Sequence, residues 1–165
     1  MKSIFVLTLS LSSVVIGFFV KSRGRKRISN IQKCIILLEN IATSIDFSLD
    51  DINKIISKSS EILNLKFLDE FIHLDKSISL KERWKEAIER TYFFDCLKTE
   101  ERNILLSFSD ILGTTSKQGQ INNCKLYGEM LKNTVENLKC ESVKKGNSSV
   151  VLGFLGALSL IIIFV

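Results

Sequence analysis

From Ile28 the apolar positions Ile28, Ile31, Ile35, Leu38, Ala42 and Ile45 advance by threes and fours, with Gln32, Lys33, Glu39 and Asn40 set between them. That spacing is the period of an α-helix and predicts an amphipathic helix of about five turns. SLDD at 48–51 lets Ser48 cap a second helix, with Asp51 answering from its third position and Ile52, Ile55 and Ile56 facing inward. The serines between Ser57 and Ser60 weaken the pattern and predict a turn near Ser60. A short helix over 62–72 then buries Ile62, Leu65, Leu68 and Ile72, or close neighbours of these.

SLKE at 79–82 repeats the capping spacing before a helix carrying Trp84, Ala87, Ile88 and Leu97. Tyr92, Phe93 and Phe94 are too dense for one stripe and read as a helix buried on more than one side. Thr99 is placed to cap the next helix, whose apolar face is Ile104, Leu105, Phe108, Ile111 and Leu112, and Gly113 fits the left-handed residue that stops it. Thr115 with Gln118, or equally Ser116, restarts the chain as a helix. Along that helix Ile121, Cys124, Gly128, Leu131, Val135 and Leu138 form a heptad-like seam with a gap at Gly128, suited to antiparallel packing or to a partner's close approach.

Two apolar runs flank these helices. Residues 3–20 and 146–165 carry no charge, and apart from Lys2 every charged residue lies between Lys21 and Lys145. Residues 3–20 reach the lower limit for crossing roughly 30 Å of hydrocarbon. No small-residue cleavage site follows, and the basic residues are downstream, so this run reads as a retained anchor rather than a cleaved signal. The final run, 148–165, reads as a second, short membrane helix; a buried core helix is the competing reading, but LSLIIIFV is apolar all round. Ser13 with Gly17, and Gly153 with Ala157, have the spacing that lets membrane helices approach closely. The expected organisation is a transmembrane helix at 3–20, a cytoplasmic helical domain at 21–147 and a transmembrane helix at 148–165. The fold class is all-α: an antiparallel helical bundle of about six cytoplasmic helices flanked by N- and C-terminal transmembrane helices, permitted by the absence of proline throughout and of glycine between Arg25 and Leu112.

Charge sharpens the topology. The net charge is +5, and KSRGRKR at 21–27 follows directly on the first apolar run, while Lys139, Lys144 and Lys145 precede the second. The positive-inside bias places both clusters in the cytoplasm and both chain ends outside it, with the bilayer itself as a partner. A nucleic-acid reading of the basic cluster is set aside, since it lacks interleaved aromatics and a groove-reading motif.

Catalytic chemistry is not encoded in any recognisable constellation. His73 is the single histidine, the four cysteines (Cys34, Cys96, Cys124, Cys140) show no CxxC or zinc spacing, and no phosphate-binding glycine loop is present. Asp50 with Asp51, and Glu100 with Glu101, sit where carboxylates start helices. The expectation is a protein without enzymatic activity and without metal or cofactor; Cys34 and Cys124 fall on apolar stripes and read as buried free thiols.

LLENI at 37–41, Trp84 after a polar turn, ILLSFSDILG at 104–113, GQINN at 119–123 and VLGFLGALSLIII at 151–163 occur in the order and spacing of the stage III sporulation protein AB family, which the chain resembles over nearly its whole length. In that pattern Glu39 matches an acidic position of the first helix, and Leu112, Gly113 and Gln120 match a Leu-Gly-turn-Gln segment. The chain departs from it at Ile41, where a second acid is usual, at Ser44 near an aromatic position, at Ser48 in place of a Thr-Pro-Leu segment and at Ser116 in place of an aspartate. The resemblance implies a noncatalytic platform of the channel that joins mother cell and forespore, located on the mother-cell side in the outer forespore membrane. Its helical domain would be similar to the platforms of type II secretion systems. Implied partners are a secretion-type ATPase similar to stage III sporulation protein AA, other membrane proteins of the channel, and further copies of the chain. The face expected to meet the ATPase is the charged side of the helices over Lys26–Glu39 and Ser116–Lys139, with Arg27, Glu39, Lys125 and Glu129 as contact residues and Gly113 and Gln120 as motif residues. A membrane tether or chaperone-like binding module without a channel is the competing function.

Overall fold

The computed structural model describes residues 22–47, 51–114 and 116–142 in full, and the backbone alone of 2–21 and 143–164. Six helices follow one another: α1 Lys2–Phe47, α2 Ile52–Leu63, α3 Lys66–His73, α4 Leu80–Thr91, α5 Thr99–Ile111 and α6 Lys117–Phe164. The chain divides into two compact units, 26–136 and the two ends 1–25 with 137–165. Among the described residues there is no strand, and no helix is long and apolar enough to cross a membrane. The candidate spans 3–20 and 148–165, with Ser13, Gly17, Gly153 and Ala157, lie outside the fully described residues.

The stripe expected to open a helix at Ile28 instead belongs to the longer α1. Ile31, Cys34, Ile35, Leu38 and Ala42 are buried as the spacing requires, joined by Leu37 and Ile41, which widen the inner face. α6 runs antiparallel to α1: Lys117 Nζ donates to the Asp46 carbonyl at 2.6 Å near one end, and Lys132 lies 3.5 Å from Glu39 farther along. Its seam is buried at Ile121, Cys124, Leu131 and Val135.

α2 corrects the sequence reading. Asp51, not Ser48, is its N-cap, accepting from the Asn53 N–H at 3.4 Å, and Ser48 lies outside the described residues. The helix passes through Ser57–Ser60 without a turn, because Ser60 Oγ donates to the Ser57 carbonyl at 2.9 Å and the small side chains of Ser59 and Ser60 bury easily. The stop comes at Asn64, in the left-handed region at φ 50. This shift turns Ile62 outward, 77% exposed, and gives its expected core place to Leu63.

At 79–82 the capping box forms as expected: Ser79 Oγ accepts from the Glu82 N–H at 3.2 Å, and the Glu82 carboxylate accepts from the Ser79 N–H at 3.3 Å. α4 ends at Thr91, however, and the aromatic triplet is a turn, not a helix buried on several sides. Thr91 Oγ1 donates back to the Ala87 carbonyl at 2.6 Å, and the chain then folds so that Asp95 and Leu97 point inward while Phe93 and Phe94 stay 69% and 64% exposed. α5 begins at Thr99 with Lys98 as its N-cap in place of the expected Thr99; the Glu101 carboxylate supplies the cap by accepting from the Lys98 N–H at 2.7 Å. Gly113 follows α5 at φ 78, where only glycine is free of strain. Ser116 opens α6, its Oγ accepting from the Gly119 N–H at 3.2 Å; Thr115, its competitor, lies outside the described residues.

Trp84 is the centre of the core. Its ring is fully buried, meets Phe67, Phe71 and Phe108 edge-on or tilted at 5.5–6.1 Å, and donates its Nε1–H to the Leu105 carbonyl at 2.9 Å. One indole thus ties α3, α4 and α5 together.

Candidate functional site

The face expected to bind a partner comes from α1 and α6, and the residues proposed for it do not share one environment. Lys125 is exposed. Glu129 is exposed and 2.9 Å from Lys132, which also lies 3.5 Å from Glu39. Glu39, Lys132 and Glu129 form a solvated chain of alternating charge across α1 and α6, screened by water and easily exchanged for a partner's charges. Gln120 is half-buried one turn into α6, its N–H donating to the Ser116 carbonyl at 2.9 Å. Gly113 is exposed and a methyl group there would lie 3.8 Å from Leu80 Cδ2, so conformation rather than space demands glycine. At Gly128 an added Cβ would meet nothing within 4 Å, so no contact within the chain uses the gap in the seam.

Arg27 behaves differently from the solvated basic cluster to which its sequence position assigns it. Its side chain is 13% exposed, and its Nε donates to Glu101 Oε1 at 3.0 Å, with a second bond from the same guanidinium to that oxygen. Glu101 is completely buried, and its other oxygen holds the start of α5 through the Lys98 N–H. One turn along α1, Asn30 Nδ2 donates to the Asp95 carbonyl at 2.8 Å. Asp95, 2% exposed, accepts the Lys66 and Phe67 N–H groups at 2.9 and 3.1 Å and so caps α3 from a different loop. Burial pushes the Asp95 carboxyl above the ordinary carboxylate value, against the opposing pull of those two N–H groups and of Lys26 and Lys33.

These contacts fix the geometry of the unit. Arg27 meets Glu101, and the adjacent Glu100 accepts from Thr134 Oγ1 at 3.2 Å. The first turns of the unit at Lys26 and its last turn before Glu136 therefore occupy one end of the bundle, together with the 92–98 turn and the start of α5. A buried cation, Arg83, lies between α2 and α3: it donates to Asn53 Oδ1 and the Phe71 carbonyl, both at 2.8 Å, and stacks 4.2 Å over the Phe71 ring.

Spacing had no means of finding Glu101, Asp95 or Arg83 as partners of these groups. Glu101 carries a local signal, three residues after its N-cap, but Arg27 is distant in sequence by 74 positions. Cys34 and Cys124 are buried free thiols as expected, and burial raises both, Cys124 to about 11; Cys140 is exposed. His73 is exposed, its ring nitrogen 2.7 Å from the Asp69 carbonyl.

Nothing among the described residues is arranged for catalysis. No group of acidic, histidine or cysteine side chains there could hold a metal ion. The shallow depression lined by Ile45, Phe108, Leu112, Gln120 and Cys124 encloses about 170 Å³, partly open solvent. It holds no enclosed space for a small molecule. The chemistry on offer is that of a protein surface: exchangeable charge on a rigid helical frame.

The family model described as stage III sporulation protein AB matches residues 2–165. A solved structure of a stage III sporulation protein AB is similar to this chain with a TM-score of 0.65 and 18% sequence identity, covering 72% of this chain and 98% of that one. No curated protein matches the sequence.

Proposed function

From its membership of the stage III sporulation protein AB family, to which this chain belongs, and hence from a noncatalytic role in a sporulation membrane complex, we propose a platform that couples a secretion-type ATPase to that complex. The complex is the channel between mother cell and forespore. In this reading residues 3–20 and 148–165 are membrane helices, residues 21–147 stand in the mother-cell cytoplasm, and both chain ends lie beyond the outer forespore membrane. An ATPase similar to stage III sporulation protein AA docks on the charged groove of Glu39, Lys125, Glu129 and Lys132. Other channel proteins, and further copies of the chain, meet the membrane helices.

One observation carries the reading. The exits of the 26–136 unit share one end of the bundle, next to Arg27–Glu101 and Glu100–Thr134, and Glu39 with Lys132 presents exposed charge along α1 and α6 of the same unit. The half-buried Arg27 fits a different role from the exposed three, because its pair with Glu101 locks α1 to α5.

Capture of the ATPase by the full-length protein in detergent tests this proposal. Charge reversals Glu39→Lys, Lys125→Glu and Glu129→Lys are expected to weaken capture at least tenfold in combination while leaving the unfolding midpoint within a few degrees, since exposed pairs contribute little to folding. Undiminished capture by the triple variant would reject this surface.

A further inference from the structure

Phe93 and Phe94 are the least expected features of the surface. Two adjacent phenylalanines, 69% and 64% exposed, stand edge to face with ring centroids 6.3 Å apart. Sequence alone does not force them outward, but the turn does. Phe94 N–H donates to the Thr91 carbonyl at 2.8 Å, Cys96 N–H to the Phe93 carbonyl at 3.1 Å and Leu97 N–H to the Tyr92 carbonyl at 3.0 Å. Asn30 fixes the Asp95 carbonyl, Asp95 is itself consumed in capping α3, and Leu97 is buried. Cys96 takes a left-handed conformation at φ 58 to complete the turn. With Asp95 and Leu97 directed inward, the two rings between them and Tyr92 have only the outside.

The position of the turn identifies what covers them. It lies at the end of the unit where residues Lys26 and Glu136 leave, beside Arg27 and Asn30. The apolar run 3–20 ends seven residues before Arg27, so even a fully extended chain holds this end within roughly 25 Å of that run. Basic residues gather at this end as an anionic surface requires: Lys26 and Lys33 approach Asp95, and Lys98 follows it by three positions. The acids at this end are partly offset. Asp95 and Glu101 are buried, Glu89 is paired with Arg102 and Asp69 lies 3.5 Å from Lys66, while Glu100 and Glu136 stay exposed. Exposed aromatic rings with basic neighbours are the composition of a shallow contact with the headgroup region.

We propose that the Phe93–Phe94 turn is a third membrane contact, a wedge that enters the acyl–headgroup boundary of an anionic bilayer and sets the bundle's orientation on it. The inference rests on the membrane attachment proposed above. It adds a constraint that two membrane helices alone would not supply, since the wedge stops the bundle from swivelling about them.

The test uses the full-length protein in vesicles of phosphatidylglycerol and phosphatidylcholine, with Phe93→Trp and, as an independent reporter should one variant misfold, Phe94→Trp. Trp84 is fully buried and gives a constant background in the parent protein. Flotation with the vesicles in high salt is measured first. Blue-shifted added emission, quenched by lipids brominated near the headgroups and shielded from aqueous acrylamide, is the expected result. Flotation with added emission that acrylamide quenches and brominated lipid does not would overturn the wedge while leaving the attachment intact. Shielding that arises only when another channel protein is added would equally overturn it, in favour of a protein contact. Failure to float would remove both proposals together.

Discussion

Glu101 does two jobs with two oxygens: one receives Arg27 from α1, the other the Lys98 N–H at the start of its own helix. Removing it strands a guanidinium that is 13% exposed and an N–H group at a helix start. Glu101→Ala is therefore expected to cost about 3–5 kcal/mol, the range for breaking one side of a buried pair. The double variant Arg27→Met with Glu101→Leu should recover much of this, because no uncompensated charge is left and both side chains keep their volume. Denaturant unfolding of the native protein, Arg27→Met, Glu101→Leu and the double variant checks it; equal losses in the single and double variants would show that the pair contributes packing rather than charge compensation. Ile41 gives the converse case, a fully buried apolar side chain on the inner face of α1.

At the scale of elements, α3 is the most dependent. Only eight residues long, it is too short to persist alone, and its N-cap residue Leu65 makes no side-chain cap. Asp95 supplies that cap from the α4–α5 turn. Asp95→Ala is expected to lower stability by about 0.5–2 kcal/mol, as for other lost caps. Amide exchange of Lys66–Phe71 should quicken more than that of α5. The pH dependence has a definite sign. Burial raises the Asp95 carboxyl above its ordinary value of 3.8, so between that value and the raised one the folded state holds more proton than the unfolded chain. Its contribution to stability is full below 3.8 and falls as pH rises through the folded value. Relative to a non-titrating Asp95→Asn variant, the native protein should gain stability as pH is lowered through that window. A constant difference across it would mean that the two N–H groups balance burial, and a loss of stability would mean that they outweigh it. Exposed ion pairs between α4 and α5, Lys81 and Lys85 with Asp110, carry little of this load.

For the molecule as a whole, the consequence of shared exits is topological. Residues joined to the same end of the bundle should be reached from the same side of a membrane. Cys140 is exposed, and Ser22→Cys adds a second exposed thiol near the other exit. A membrane-impermeant maleimide is expected to label both from the cytoplasmic side and neither from outside. Labelling of the two from opposite sides would break the proposed two-span arrangement. Cys34 and Cys124 should stay unlabelled until the protein is unfolded, since burial keeps both thiols protonated and covered.

The all-α class, the stripes on α1 and α6, the capping box at Ser79 and the stop at Gly113 were all legible in the sequence. Each depends on residues within about a turn or two of one another, where spacing maps directly onto geometry. The same local rules misplaced the start of α2 and the break at Ser60, where burial against the rest of the bundle outweighed the weak helix preference of serine. They also read the aromatic triplet as interior, although the turn that carries it is held by Asn30 of α1. Whether a charged residue is solvent-exposed like Lys125 or locked inward like Arg27 depends on what lies across from it. Tertiary packing alone brought Glu101 to Arg27, Asp95 to α3 and both exits of the unit to one end, because the energies that decide such pairings act between residues far apart in the chain.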